Sequence, residues 1–210
     1  AMSLLFPEPS RESPPMFETR LVDTFSRTHW SAVPILFVPA AVVCLYLGTR
    51  ADSGVSIPAA LAMMGLGWLF WTLTEYWLHR ELFHWQPAGK LGERMHFILH
   101  GVHHKWPRDH YRLVMPPAVS ISLFFLFLSL FRALFGSYGW TFMTGFAIGY
   151  MFYDIGHYYM HHGRPTTEWF RKLRRHHMVH HSPKLEHEKK FGVSTTLWDH
   201  VFGTYGNAED

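Results

Sequence analysis

Long uncharged segments alternate with polar, histidine-rich stretches along this chain. Four such segments cover residues 32–49, 55–74, 113–131 and 133–153. Each is about long enough to cross the roughly 30 Å hydrocarbon core of a bilayer as a helix. The pattern therefore predicts about four transmembrane helices, over residues 32–49, 55–78, 113–131 and 133–156. The alternative for such apolar lengths is the buried core of a soluble helical bundle.

The polar stretches are predicted to form a helical cap on one end of this bundle. The last two apolar segments are expected to make a hairpin around Arg132, with a turn at Gly136-Ser137. The cap is assigned to residues 79–112 and 157–210. Residues 1–28 are interpreted as an N-terminal tail, since four prolines fall within the first 16 residues. The predicted fold class is an all-α integral membrane bundle, with residues 29–210 as a single domain.

The positive charges give the expected orientation. Six Lys or Arg residues fall in residues 80–112, eight after residue 162 and three before the first apolar segment, whereas the short turns hold only Arg50 and Arg132. By the positive-inside rule, the protein is multi-pass with its termini and its cap on the cytoplasmic side. A formal net charge of +3 without a basic stripe gives no reason to expect nucleic-acid binding.

Histidines are the most informative residues of the polar stretches, and the chain has 17 of them. Neutral imidazole is the commonest protein ligand for transition metals. The only cysteine, Cys44, lies in an apolar segment, so any metal must be bound through nitrogen and oxygen. Four motifs contain most of the histidines: His79-Arg80-Glu81-Leu82-Phe83-His84, His100-Gly101-Val102-His103-His104, His157-Tyr158-Tyr159-Met160-His161-His162 and His176-His177-Met178-Val179-His180-His181.

Helical spacing predicts where the imidazoles point. Histidines at i, i+3 and i+4 share one face of a helix, so one face can bind one ion. Adjacent histidines, as at 103/104 and 180/181, diverge by about 100°, which favours two metal ions over one. His79 and His84 stand about 140° apart on an ideal helix. Either the helix ends between these two residues or they serve different ions.

Two ions with five imidazoles each would keep one octahedral position open, which is typical of a catalytic site. Nitrogen ligands without thiolate favour iron, zinc, copper or nickel. Zinc binds them more tightly than ferrous iron, so a purified sample can contain zinc although iron is the working metal. Glu75 and Asp154 are candidates for orienting imidazoles, or else for interfacial ion pairs. The ten candidate metal ligands are His79, His84, His100, His103, His104, His157, His161, His177, His180 and His181.

Further short motifs accompany the histidines: Glu75-Tyr76, Arg112-Leu113-Val114-Met115-Pro116-Pro117, Tyr153-Asp154, Phe191-Gly192-Val193, Trp198-Asp199 and Phe202-Gly203-Thr204. In this order, all of them together resemble the fatty acid hydroxylase superfamily of membrane di-iron enzymes. Within it, they look most like the fatty acid 2-hydroxylases that act on sphingolipid acyl chains. The resemblance covers about residues 70–205, and the ten candidate ligands align with the metal-binding histidines of that family.

The resemblance implies an oxygen-dependent enzyme with two iron ions that hydroxylates C2 of a fatty acid or of a sphingolipid N-acyl chain. Arg112 is the candidate contact for a lipid head group, and Tyr153 and Tyr158 are candidate walls of an acyl channel. Eukaryotic members carry a fused cytochrome b5 domain that this sequence lacks, so a separate donor such as a cytochrome b5 or a ferredoxin is expected to supply the electrons. Two alternatives stay open: a sterol or carotenoid oxidase with the same metal chemistry, and a zinc-binding or zinc-transporting membrane protein.

Overall fold

The structure is a computed structural model that describes residues 13–182 and 189–206. Within these ranges every regular element is helical, which confirms the all-α prediction. Two π-helical stretches, Leu78–Phe83 and Phe97–Gly101, continue α3 and α4, and a 3-10 turn follows α2 at Ala51–Ser53. The α-helices are α1 (Arg20–Phe25), α2 (Ala32–Thr49), α3 (Ile57–Trp77), α4 (Gly89–His96), α5 (Val102–Lys105), α6 (Pro117–Phe135), α7 (Tyr138–His162), α8 (Glu168–His180) and α9 (Leu197–Val201).

Helix α7 lies at the centre of the bundle, where it packs against α2, α3 and α6. Three helical segments are long and apolar enough to cross a membrane: Ala32–Thr49, Ile57–Phe83 and Pro117–Phe135. They correspond to three of the four predicted spans. The fourth predicted span forms α7, a helix of 25 residues that is not among the three segments apolar enough to cross a membrane. This helix contains polar residues such as Thr141, Thr144 and Asp154. Their side chains are buried inside the bundle, where neighbouring helices surround them.

The ends of the third and fourth predicted spans differ from the structure. Helix α6 begins at Pro117 rather than at Leu113, because a proline is favoured in the first turn of a helix and breaks one further in. It continues to Phe135, so Arg132 lies in its last turn and not in the hairpin loop. The turn itself is made at Gly136, whose φ of 56° suits glycine. The hairpin and its predicted turn at Gly136-Ser137 are therefore confirmed, whereas its placement around Arg132 is wrong by one helical turn.

Glycines bring α3 and α7 into close contact. A Cβ atom at Gly145 would lie 1.8 Å from the carbonyl oxygen of Met64, and one at Gly67 would lie 2.0 Å from the carbonyl oxygen of Phe142. Small residues at helix interfaces allow backbones to approach closely in this way. This contact sets the distance between the two helices that carry His79 and His157.

Gly145→Ala is expected to destabilise the protein by at least about 3 kcal/mol, the upper range for overpacking a core, because the backbone of Met64 cannot move aside cheaply. Thermal unfolding in detergent measures the change as a lowered midpoint. The matched control is Gly65→Ala on α3, where an added Cβ meets nothing within 4 Å. Equal midpoints for the two variants would contradict this account of the helix interface.

The predicted N-terminal tail is docked onto the cap wherever the structure describes it. Asp23 of α1 pairs with Arg27 at 3.0 Å and with Arg112 at 2.7 Å. The backbone N–H of Thr28 donates to the carbonyl of Tyr111 at 2.6 Å. Residues 13–28 of the predicted tail are therefore not loose, because these polar contacts tie the segment to the loop before α6. Residues 1–12 lie outside the described residues.

Candidate metal centre

The structure brings all ten predicted ligand histidines together in two groups of five. Within each group, one possible ligand atom of every histidine lies within 4.8 Å of the others. The first group consists of His79, His84, His100, His104 and His180, and the second of His103, His157, His161, His177 and His181. Their role as metal ligands stays a prediction, and their convergence is a property of the fold.

Helical geometry explains how each motif is divided between the groups. Pairs at i and i+4 stay together: 100/104 in the first group, and 157/161 and 177/181 in the second. Adjacent residues separate, with His103 in the second group and His104 in the first, and with His181 and His180 divided likewise. The predicted divergence of adjacent imidazoles is confirmed. The expectation that an i+3 neighbour joins the same face is wrong, since i+3 members enter the other group.

His79 and His84 reach the same group through a π-helical turn. Leu78–Phe83 follows α3 as π-helix, in which hydrogen bonds join residues i and i+5. A spacing of five residues therefore returns to the same face, and the two ring centroids lie 5.1 Å apart. Of the two predicted alternatives, the first is confirmed, because the helical stretch ends at Phe83 and His84 is its C-cap. The second is wrong, because both histidines belong to the same group.

The distances between imidazole nitrogens fit a shared metal ion. In the first group, Nε2 of His100 lies 3.1 Å from Nε2 of His79 and 3.0 Å from Nε2 of His104. In the second group, Nε2 of His177 lies 2.9 Å from Nε2 of His161 and 3.1 Å from Nε2 of His181. Neighbouring ligands at right angles around an ion with metal–nitrogen bonds of about 2.1 Å are separated by about 3.0 Å. The two sets of nitrogen atoms are thus placed as an ion would require.

Burial keeps these imidazoles neutral, the form that binds metal. The pKa of His100 is held well below its ordinary value by burial and by the neighbouring His79, and that of His103 by burial and by His157. Burial and surrounding histidines lower the pKa of His177 and His181 in the same way. Within residues 13–182 and 189–206, buried Nε2 of His103 and of His157 has no hydrogen-bond partner. A bound cation would remove the free-energy cost of leaving these atoms unpaired.

Backbone carbonyl groups orient two histidines of the first group. Nδ1–H of His79 donates to the carbonyl of Phe191 at 2.6 Å, and Nδ1–H of His180 donates to the carbonyl of Lys189 at 2.7 Å. A proton on Nδ1 leaves the lone pair on Nε2, which is the atom facing the centre of the group. Both carbonyl groups belong to a segment of irregular backbone at residues 189–194, which the sequence did not identify as part of the site.

Glu75 does not contact an imidazole, which corrects its predicted role. Its carboxylate accepts hydrogen bonds from the backbone N–H of Val193 at 2.8 Å, from the N–H of Ser194 at 2.6 Å and from the hydroxyl of Ser194. The side chain is 2% exposed. Glu75 therefore joins α3 to the 189–194 segment and acts on the histidines only through that segment.

Asp154 likewise binds groups other than histidines. Its Oδ2 accepts hydrogen bonds from the backbone N–H of Met115 at 3.2 Å and from the hydroxyl of Tyr150 at 2.8 Å. Both ring nitrogens of His157, three residues further along α7, have no hydrogen-bond partner in the part of the chain that the structure describes. Asp154 thus fastens the loop before α6 to α7 instead of orienting His157.

The three predicted substrate-binding residues occupy different environments. Arg112 is buried, with its guanidinium beside Asp23 at 2.7 Å and Asp109 at 3.6 Å. This ion-pair network speaks against the predicted contact with a lipid head group. The hydroxyl of Tyr158 bonds to Nδ1 of His110 at 2.9 Å, outside both histidine groups.

Tyr153 lies where the bundle core meets the second histidine group. Its ring centroid is 5.7 Å from that of Trp71 and 5.8 Å from that of His157. An apolar cavity lies on the side of Trp71, between α2, α3, α6 and α7, and reaches Leu78 next to His79. Its lining residues are Phe37, Trp71, Leu78, Met115, Ser120, Leu123, Phe124, Phe127, Met143, Phe146, Ala147 and Tyr150.

The fold and this site define a helical protein with membrane-length helices and, at one end, two groups of histidines that could each hold a metal ion. The chain matches the fatty acid hydroxylase family over residues 64–204. It belongs to this family and is therefore a hydroxylating oxidoreductase, which confirms the resemblance seen in the motifs.

Individual hydroxylases are similar to this chain over most of its length. A dihydroceramide fatty acyl 2-hydroxylase of Arabidopsis thaliana is 40% identical over 92% of this chain and 80% of its own length. The fatty acid 2-hydroxylase of Mus musculus is 35% identical over 90% of this chain, and a ceramide very long chain fatty acid hydroxylase of Saccharomyces cerevisiae is 39% identical over 92%. This chain covers 56% of the mouse protein and 50% of the yeast protein.

A solved structure has the same fold. It is of full-length scs7p, in which only the hydroxylase domain is visible, and superposes with a TM-score of 0.83 at 34% identity. The match covers 92% of this chain and 72% of that chain. The predicted arrangement of a helical bundle with a histidine-rich cap is confirmed at the level of the fold.

Proposed function

We propose that this protein hydroxylates C2 of an acyl chain, in a fatty acid or in the N-acyl chain of a sphingolipid, using dioxygen. The single observation that carries the proposal is the pair of five-histidine groups, in a bundle whose apolar cavity reaches Leu78, the residue next to His79 in the sequence. The substrate class follows from similar proteins that are dihydroceramide and fatty acid 2-hydroxylases.

The ten histidines would hold two iron ions, one in each group. When bound, iron supplies the oxygen chemistry that zinc, which has no redox chemistry, cannot supply. The chain itself provides neutral imidazoles at the required spacing and a surrounding shell of buried side chains that excludes water. Five nitrogens per ion would keep one octahedral position free for oxygen or for the substrate.

The apolar cavity is suited to an acyl chain, because its lining is almost entirely aliphatic and aromatic. A chain that enters from the bilayer would lie between α6 and α7 and bring its carboxyl-proximal carbons toward Tyr153 and His157. Tyr153 would then contact the substrate carbons nearest the reacting position, as the sequence predicted. The predicted role of Tyr158 as a channel wall has less support, since its hydroxyl bonds to His110.

Electrons are proposed to come from a separate donor, such as a cytochrome b5 or a ferredoxin. Helix α8 carries buried His177 on one face and exposed Lys172 and Arg175 on the other. A helix is about 10 Å across, so a negatively charged donor on this basic face would approach the second histidine group closely. The protein is further proposed to be multi-pass, with its termini and histidine motifs on the cytoplasmic side, as the distribution of Lys and Arg indicates.

Labelled oxygen tests this function directly. Membranes with the iron-loaded protein, a reducing system and either a free fatty acid or a ceramide are expected to form a 2-hydroxy acyl product with one ¹⁸O atom from ¹⁸O₂, detected by mass spectrometry. The zinc-loaded protein is the control and should give none. Label in sterols or carotenoids alone would favour the oxidase alternative. Absence of label from every lipid, together with zinc uptake into sealed vesicles, would favour transport and contradict the proposal.

A further inference from the structure

Two backbone carbonyls of the 189–194 segment accept hydrogen bonds from histidines of the first group. They hold Nδ1 of His79 and of His180, both in the first group. Outer hydrogen bonds of this kind fix the tautomer and the ring direction, and their loss typically costs about 10- to 100-fold in metal affinity. The placement of the segment therefore bears on how tightly the first group binds an ion.

The segment does not hold this conformation by its own preference. Lys190 has a φ of 66°, a left-handed conformation that is uncommon for residues other than glycine. Such backbone persists where surrounding contacts determine it. The N–H of Lys190 donates to the carbonyl of Thr204 at 2.8 Å, and the next two residues are held by a carboxylate.

That carboxylate belongs to Asp199 in α9, which is fully buried. It accepts hydrogen bonds from the backbone N–H of Phe191 and of Gly192, each at 2.8 Å. Two side chains, Thr204 at 2.8 Å and His176 at 3.0 Å, complete its contacts. Asp199 thus binds the two backbone N–H groups on either side of the Phe191 carbonyl, which is the carbonyl that accepts the hydrogen bond from His79.

Three histidines of the second group have no such carbonyl partner among the described residues. Nδ1 of His157, His177 and His181 is buried, and none has a hydrogen-bond partner among the described residues. These imidazoles are held by packing and by their helices, α7 and α8. The two groups are therefore alike in their five nitrogens and unlike in the support behind them.

We propose that Asp199 is a positioning residue for the first histidine group alone: by holding residues 189–194 it fixes His79 and His180, and its loss weakens metal binding there while the second group keeps its ion. This inference rests on the proposed function, in which both groups bind metal. On this proposal, a change to one carboxylate that would contact neither ion affects one metal position and leaves the other unchanged.

The test uses the full-length protein loaded with Co²⁺, whose visible absorption reports ligand geometry. Chelator-driven release of cobalt is followed for the wild type, for Asp199→Asn and for the control Asp52→Asn, an exposed carboxylate in the turn after α2. In Asp199→Asn, about half of the cobalt signal is expected to leave roughly 10- to 100-fold faster, with the other half unchanged. The control should match the wild type.

A second variant covers the case in which Asp199→Asn does not fold. Gly192→Ala would place a Cβ 2.1 Å from the carbonyl oxygen of Thr195 and 2.6 Å from Oδ2 of Asp199, so it displaces the same segment without altering a carboxylate or a histidine. The same half of the cobalt signal should be lost faster in this variant. Unchanged release in the variants, or equal acceleration of both halves, would overturn the inference alone. Failure of the wild type to bind cobalt would instead overturn the proposed function, and the inference with it.

Discussion

His177→Ala is expected to remove the metal from the second group and to abolish hydroxylation. Nε2 of His177 lies 2.9 Å from that of His161 and 3.1 Å from that of His181, and the side chain is fully buried. Losing an outer partner of a ligand already costs about 10- to 100-fold in metal affinity, so losing the ligand itself should cost more than about 100-fold. Elemental analysis should then find about one ion per chain instead of two. Part of the effect will also appear as lower stability, because metal binding at such a site contributes to folding.

The matched control is His29→Ala, which removes an exposed imidazole whose Nδ1 bonds only to Ser31 at 2.8 Å. This variant should keep the metal content and the activity of the wild type. Full metal content and full activity in His177→Ala would show that the second group is not a metal site.

Ala147→Phe is expected to stop acyl hydroxylation without removing metal. Ala147 is 1% exposed and lines the apolar cavity, so a phenyl ring there would occupy the space proposed for the acyl chain. Displacing a reacting carbon by roughly 1 Å can cost about 100-fold in rate, and a ring displaces it further. Product formation in membranes should therefore fall at least about 100-fold, while elemental analysis gives the metal content of the wild type.

Ile148→Phe is the matched control, because this next residue of α7 is 40% exposed on the outside of the bundle. It places the same phenyl ring on the same helix but outside the cavity, and it should leave the rate unchanged. A rate for Ala147→Phe equal to that of Ile148→Phe would mean that the substrate does not use the cavity.

Local periodicity made much of the metal centre predictable. The i, i+4 spacing of His157 and His161 and the divergence of His103 from His104 depend only on the geometry of an α-helix. The membrane-length helices follow from apolar length in the same way. These are short-range properties, so one sequence is enough to read them.

What could not be predicted depends on irregular backbone and on long-range contacts. The π-helical turn that unites His79 with His84 has no signature in residue spacing, because the pattern was interpreted with an α-helical repeat. Asp199 and Glu75 act through residues 191–194, and for Glu75 the partners lie more than a hundred residues away in the sequence. Burial of Arg112 depends on Asp23 from the N-terminal segment. The proline-rich composition of that segment does not suggest that it contacts the cap.

The central claim is that the two five-histidine groups each bind one metal ion. Anomalous diffraction from crystals of the iron-loaded protein, measured above and below the iron edge, tests this claim most directly. The account predicts two iron peaks, one among the Nε2 atoms of His79, His84, His100, His104 and His180 and the other among those of His103, His157, His161, His177 and His181. A single peak, or iron bound elsewhere with both groups empty, would contradict it.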